Sequence, residues 1–444
     1  MMIKPSPPLL YCVAGLLLLA IGLGTVNVLT NPLPVWLKLA LLSSTLVLLL
    51  LCVIDAWRVW QLPPPEVRRV MQTSLSLGRR SEVTLEFSHT WATPRVLQYF
   101  DHLPDSFKQQ QLPKQVLLVA KQSSRSSYWV TPLLRGLFTL PGCAVRLPSP
   151  MGLWTAQHFL VHSSQVRVYP DFSQLHSGQL HSTAMWLKQQ GVQQQQRRGS
   201  GLEFHQLRDY RSDDSTRYID WKATARKRTP ITREYQDERD QQIIFLLDCG
   251  RTMRSQDGTL SHLDYALNAC LMLAYSALRL GDAVGIQTFA GPQRTIAPRK
   301  GLQQMSVLLN GVYDIQASQA SADYSQAIER LLLQQKRRAL VIIISNLADE
   351  THSELSLAMQ QLNKRHRSIL VNLKEETLDK IRLQPVQNYQ QALLYCGTID
   401  YLHARHLHQR KLRQQGIQLL EVRPSQLSAS LLNHYLNIKK SGLY

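Results

Sequence analysis

The chain has 444 residues, with 50 Lys and Arg against 31 Asp and Glu and a formal net charge of +19. That length exceeds what one hydrophobic core serves, so about two to three domains are expected. The basic surplus implies an acidic partner, of which anionic lipid and nucleic acid are the common ones. Cys12, Cys52, Cys143, Cys249, Cys270 and Cys396 are scattered without CxxC spacing. Neither a disulfide framework nor a zinc site follows from that pattern, and a reducing compartment fits it.

Leu9 to Leu29 and Val35 to Ile54 are uncharged or nearly so, and each is about twenty residues long. At ~1.5 Å rise per residue, each spans the ~30 Å hydrocarbon layer. Thr30 to Pro34 joins them closely, which predicts a two-helix hairpin over residues 1–60. Lys4 precedes the first span, and Arg58, Arg68, Arg69, Arg79 and Arg80 follow the second. The positive-inside rule then places the remainder in the cytoplasm, on a two-pass inner-membrane protein.

A stiff Pro63–Pro65 spacer leads into residues 61–170, where apolar residues alternate with period two, as in Val83, Leu85 and Phe87. Turn residues recur between these short runs, so a β-sandwich-like domain is predicted. Residues 171–200 are polar and include the Gln193–Gln196 run, reading as a linker. Residues 201–242 are densely charged with both signs, interleaved with Tyr210, Ile219, Trp221 and Tyr235. Such a segment is either a solvated loop and helix or a set of ion pairs beneath the aromatics.

From Ile243 to the end, over 243–444, strands and helices alternate. The strands are Ile243–Asp248, Ala283–Phe289, Ala339–Ser345, Ile369–Leu373 and Ile417–Val422. The helices fall over Leu263–Leu280, Leu302–Val312, Tyr324–Gln335, Ser353–Arg365 and within Tyr389–Gln414. Repeated βα units with wholly apolar strands predict a mostly parallel, doubly wound α/β sheet. Asp248, at the carboxyl end of such a strand, stands where open α/β sheets place ligands.

The run Leu207-Arg208-Asp209-Tyr210, Asp214, Arg217, Ile219-Asp220-Trp221-Lys222-Ala223, Arg226 and Glu234 resembles the signature of the bacterial "DUF fifty-eight" proteins. Leu263 to Leu267 and Leu280 to Gly285 extend the likeness, while Asp213 stands where that signature carries glycine. The resemblance implies that the C-terminal region is similar to a von Willebrand factor A domain. It also implies a partnership with MoxR-type AAA+ ATPases in the assembly or maturation of a client protein, with no enzymatic activity.

Domains of that type commonly hold a divalent ion through Asp-x-Ser-x-Ser, a threonine and a second aspartate, a hard oxygen set suited to Mg²⁺. Here Asp248 is kept, Gly250 and Thr252 replace the serines, Ala322 or Ser321 meets the threonine, and Asn346 meets the last aspartate. The site reads as degenerate, with Asp248 and Thr252 as weak metal candidates and no cofactor expected. If Arg251 points inward, a dication about 6 Å away would repel it by roughly 5 kcal/mol at an effective dielectric of 20. Two readings stay open: Arg251 replaces the ion, pairing with Asp248 or receiving an acidic side chain, or it faces outward on a vestigial rim.

The expected docking rim therefore comprises Asp248, Gly250, Arg251, Thr252, Arg254, Ser321 and Asn346. No Walker loop, HExxH, GxSxG or GxGxxG is present, and His403, His406 and His408 have no acidic companion. The function expected is a non-enzymatic, membrane-anchored adaptor or assembly factor. A metal-dependent hydrolase would need carboxylates from among Asp257, Asp264, Asp323 and Asp349 to converge on Asp248. A membrane-tethered nucleic-acid binder is the third class, although anionic inner-leaflet lipid is the favoured counter-charge.

Overall fold

A period-two pattern buries one side of each strand and therefore demands a second layer, whereas strands apolar throughout demand cover on both faces. The chain uses each solution once. A computed structural model describes residues 2–29, 34–120, 122–171, 198–211, 214–236, 241–347 and 352–441. It divides into a unit spanning Met1–Val168 and a unit spanning Tyr169–Tyr444.

In the first unit, strand β1 (Met2–Pro5) leads into helix α1 (Pro7–Leu29), followed by helix α2 (Val35–Trp60). Both helices are long and apolar enough to cross a membrane. The strands that follow are β2 (Glu66–Val70), β3 (Ser74–Ser76), β4 (Ser81–Ser88), β5 (Arg95–His102), β6 (Phe107–Gln110), β7 (Lys114–Leu118), β8 (Ser124–Pro132), β9 (Gly136–Pro148) and β10 (Trp154–Tyr169). They form one sheet ordered β1-β10-β9-β5-β7, with β3 also on β10, and a second ordered β2-β4-β8-β6. Val83, Leu85, Phe87, Leu97, Tyr99, Tyr128 and Val130 fill the interior.

Three features of this unit go beyond the sequence reading. Residues 2–5 form an edge strand, registered from Met2 against Gln157 to Pro5 against Trp154. Helix α2 continues six residues past Ile54, because Asp55 is no lipid-facing charge. Its carboxylate is buried and accepts from Met151 N–H at 3.0 Å, Leu153 N–H at 3.3 Å and the Ser149 hydroxyl. Ser6 bonds the same turn through Leu153 and Gly152, so the outer ends of both helices meet on one loop. Arg69, counted above among the flanking charges, is buried instead. It lies in a fork against Asp101, with Nε–Oδ2 at 2.9 Å, and Tyr128 donates to the same carboxylate.

The second unit opens with a hairpin absent from the sequence reading: β11 (Arg198–Asp209) pairs antiparallel with β12 (Ile231–Gln236). Helix α3 (Trp221–Lys227) lies between them. Then come β13 (Gln242–Asp248), the short ribbon β14 (Gln256–Asp257) and β15 (Leu260–Ser261), helix α4 (His262–Arg279), β16 (Ala283–Phe289) and β17 (Thr295–Arg299). Helices α5 (Gln303–Val312) and α6 (Tyr324–Gln334), β18 (Leu340–Ser345), α7 (His352–Arg365) and β19 (Arg367–Leu373) follow. The unit closes with α8 (Glu376–Leu383), α9 (Tyr389–Gln414), β20 (Leu419–Val422) and α10 (Leu427–Ser441).

The large sheet runs β17-β16-β13-β18-β19-β20, parallel throughout except for the antiparallel edge strand β17. Alternate residues of β13 enter two different cores. Ile243, Phe245 and Leu247 pack with α4, α5 and α10, while Ile244 and Leu246 pack with α6 and α7. Each buried aliphatic side chain contributes about 1.5–3 kcal/mol, which makes β13 the axis of the unit. A capping box between Ser261 and Asp264 starts α4, and Asp323 caps α6 through Gln326 N–H at 2.9 Å. Edge strand β17 and helices α8 and α10 are absent from the sequence reading. The Gln193–Gln196 run, Asp213 and Asp349 lie outside the described residues.

Candidate docking site at the strand ends

The carboxyl end of β13 delivers Asp248 into a fully buried position. Its Oδ1 accepts from Gly250 N–H at 2.8 Å, and its Oδ2 accepts from the Ser345 hydroxyl at 2.6 Å. Ser345 in turn meets Tyr324 OH at 2.8 Å. Burial pushes the Asp248 carboxyl above its ordinary value, opposed by the bonds from Ser345 and Gly250. Position 250 is tightly enclosed, since a Cβ there would stand 2.8 Å from the Ala320 carbonyl and 3.0 Å from Asp248 Oδ1.

Beyond Gly250 the chain makes a 3₁₀ turn over Arg251–Arg254. In that geometry residues three apart eclipse one another. Met253 is fully buried and anchors the turn, while Arg251 and Arg254 are exposed and Thr252 is half-buried. Arg251 N–H donates to Ala320 O at 3.0 Å, tying the turn to the loop before α6. Arg251 is exposed and is not the group that pairs with Asp248, whose oxygens take Gly250 N–H and the Ser345 hydroxyl.

The remaining rim residues do not join Asp248. Asn346 is buried, and its Nδ2 donates to Glu375 Oε1 at 2.9 Å and lies 3.4 Å from His262 Nδ1. His262 Nε2 meets Asp257 Oδ2 at 2.9 Å, and both groups are buried. Desolvation pushes the Asp257 carboxyl up, but hydrogen bonds from His262, Glu376 N–H and Thr377 outweigh it and hold the group below its ordinary value. Ser321 is exposed and Ala322 is packed against the α6–α7 core. The Asp264 carboxylate accepts from Ser261 N–H at 2.9 Å in the capping box of α4, and Asp323 caps α6. Among the described residues, no three or more His, Cys, Asp or Glu side chains gather as a metal cluster.

The signature residues organise the hairpin. Arg208 grips Asp214 with two bonds of 2.7 and 2.6 Å, and Arg211 N–H adds a third at 2.9 Å. Tyr210 OH donates to the Asp214 carbonyl at 3.2 Å. Asp220 caps α3 through Lys222 and Ala223 N–H, both at 3.0 Å, and takes Arg233 Nε at 2.9 Å. Arg208 first, then the Arg211 N–H, holds the Asp214 carboxyl below its ordinary value, and the Ala223 N–H followed by Arg233 does the same for Asp220. Arg217, Trp221, Lys222 and Arg226 are exposed, with Trp221 at 72%, so Trp221 does not cover the ion pairs, whereas half-buried Tyr210 lies against Asp214. Glu234 lies on β12, opposite Gln206.

Ser345, Tyr324, His262 and Glu375 escaped the sequence reading. Only Ser345 carried a visible signal, a hydroxyl closing the apolar run Val341–Ile344 beside the central strand.

Uncharacterized proteins from Mycobacterium bovis and from two strains of Mycobacterium tuberculosis are each 25% identical over 151 residues, covering 33% of this chain and 48% of the relative. The chain thus spans about half the length of the curated relatives it matches. Among solved structures, a fragment of Escherichia coli alpha-2-macroglobulin has 16% identity over 24% of this chain and 17% of that one, with a TM-score of 0.19. The FixG-related protein of Vibrio parahaemolyticus has 8% identity over 24% of this chain and 98% of that one, with a TM-score of 0.18. Likenesses that slight carry no argument. The family model described as "Protein of unknown function DUF58" matches residues 206–412, so the chain carries a domain of that family.

Proposed function

We propose that the protein is a membrane-anchored, non-enzymatic adaptor whose second unit, a von Willebrand factor A-like domain, presents its strand-end rim to a partner protein. The observation that carries this reading is the separation of charge at the rim: Asp248 is buried and internally satisfied, while Arg251 and Arg254 are exposed on one 3₁₀ turn beside it. Such a rim presents two exposed basic side chains to an acidic partner. Exposed Trp221, flanked by Arg217, Lys222 and Arg226, adds the residue types that dominate protein–protein binding energy.

On this reading the rim works without a divalent ion. Both Asp248 oxygens accept from protein donors, Asn346 Nδ2 donates to Glu375, and a serine at position 250 would stand against the Ala320 carbonyl. Among the described candidates, the carboxylates of Asp257, Asp264 and Asp323 have other partners, which disfavours a hydrolase built on Asp248. The resemblance makes a MoxR-type AAA+ ATPase, together with its client, the partner to test. On this reading the soluble parts face the cytoplasm, and Trp57, Arg58 and Trp60 sit at the anionic lipid headgroups, consistent with their exposure.

The test is binding of a purified MoxR-type ATPase from the same organism to the full chain in detergent. An Arg251→Glu/Arg254→Glu double variant should bind at least about tenfold more weakly, a cost of 1.4 kcal/mol or more. Undiminished binding, or Mg²⁺ binding that Asp248→Ala abolishes, would contradict the reading.

A further inference from the structure

The turn that joins β9 to β10, residues 149–153, is bound to helix α2 at the depth of its apolar run. Trp154 Nε1 donates to the Cys52 carbonyl at 2.9 Å. At ~1.5 Å of rise per residue, Cys52 lies about 4.5 Å deeper in that run than Asp55. The Asp55 carboxylate is covered from the same turn by Met151 N–H, Leu153 N–H and the Ser149 hydroxyl. Ser6, just ahead of α1, bonds Gly152 and Leu153. Leu9 on α1 and Val59 on α2 are buried, so both helices are packed and the depth of the turn is fixed.

The composition of the turn suits that depth. Residues 147–157 contain no Lys, Arg, Asp or Glu, yet Pro150 and Met151 are exposed, Met151 at 48%. A single exposed apolar side chain means little on a face that meets water. Here the surroundings are those of α2 at Cys52, and an apolar run of that length is bounded by acyl chains. Trp154 is half-buried with its indole N–H satisfied, the arrangement that places tryptophan at a membrane–water boundary. Lys4 and Arg58, both exposed, lie beyond Ser6 and Asp55 on the side away from the apolar runs, where anionic headgroups would meet them.

We propose that the β9–β10 turn is a membrane-surface site: Met151 enters the headgroup–acyl boundary of a phospholipid bilayer, and the turn's backbone shields Asp55 from lipid. This end of the first unit's sheets is then seated on the bilayer, not held away from it by the Pro63–Pro65 spacer. The site rests on α1 and α2 spanning a membrane, and the experiment judges the two separately.

An environment-sensitive fluorescent amino acid would be encoded at position 151, 18 or 105 of the full chain, reconstituted in phosphatidylcholine–phosphatidylglycerol vesicles. Leu18 is exposed and lies about 18 Å along α1 from Ser6, near the middle of a ~30 Å hydrocarbon layer. Asp105 is exposed and follows β5, whose pairing runs from Arg146 to Gly142 of β9, away from the turn. Lipid brominated near the headgroup should quench position 151 at least about twofold more than lipid brominated near the chain ends, as for a group about 5–10 Å into the interface. Position 18 should show the reverse order, and position 105 should be quenched only by aqueous iodide. Position 151 open to iodide, with position 18 still quenched by deep bromine, would put the turn in water and overturn the proposal. Shielding of position 151 from both bromine and iodide would assign the turn to a protein partner and equally overturn it. Absence of deep quenching at position 18 would sink the spanning helices themselves, and the turn's site with them.

Discussion

At the residue scale, Asp248 is the position where charge and burial conflict. Its raised pKa means the folded state keeps the proton to higher pH than the unfolded state does. Stability from this group is therefore full at low pH and falls as pH rises from the ordinary carboxylate value through the raised one. Asp248→Asn, which retains an acceptor for Gly250 N–H, should flatten that dependence, read by hydrogen exchange of the β13 amides across acidic to neutral pH. Asp248→Ala strands the Gly250 and Ser345 donors and should cost about 1–3 kcal/mol or more at any pH. The aspartate was legible in the sequence because it ends an apolar run. The facing of Arg251 was not, because it depends on Met253 turning inward within a 3₁₀ turn.

At the element scale, the signature hairpin carries the opposite sign. Asp214 and Asp220 titrate below their ordinary values, so the support they give is present above that value and disappears as pH falls through the depressed ones. Acid should therefore loosen β11 and β12 ahead of the large sheet, seen as faster amide exchange in 206–236 than in β13. Uniform exchange across both would contradict this. The hairpin was missed in the sequence because dense charge masks strand alternation, whereas the parallel strands, apolar on both faces, announced themselves. Helix α2 outruns its apolar span for a reason that lies 94 residues away, in the loop that Ser149 begins. Asp55→Ala should release that loop, raising protease cleavage near Met151 about tenfold, as expected from losing a charge-assisted bond of about 1.5–3 kcal/mol.

At the scale of the whole molecule, a formal charge of +19 sits on a chain whose first unit roots two apolar helices in a β-sandwich and whose second exposes arginines at a sheet rim. Two apolar N-terminal helices were readable from the length of uncharged sequence, and the β-rich layers and the parallel α/β sheet from periodicity. The continuity of hairpin and sandwich was not, because it rests on β1 and Asp55, two features that look like ordinary flanks. A photo-crosslinker placed at position 251 or 254 of the full-length protein in its native membrane tests the docking rim most directly. Mass spectrometry of the adducts should identify an AAA+ ATPase or its client from both positions, and none from position 333 on the exposed face of α6. Adducts to the ATPase from position 333 but not from 251 or 254 would contradict the account.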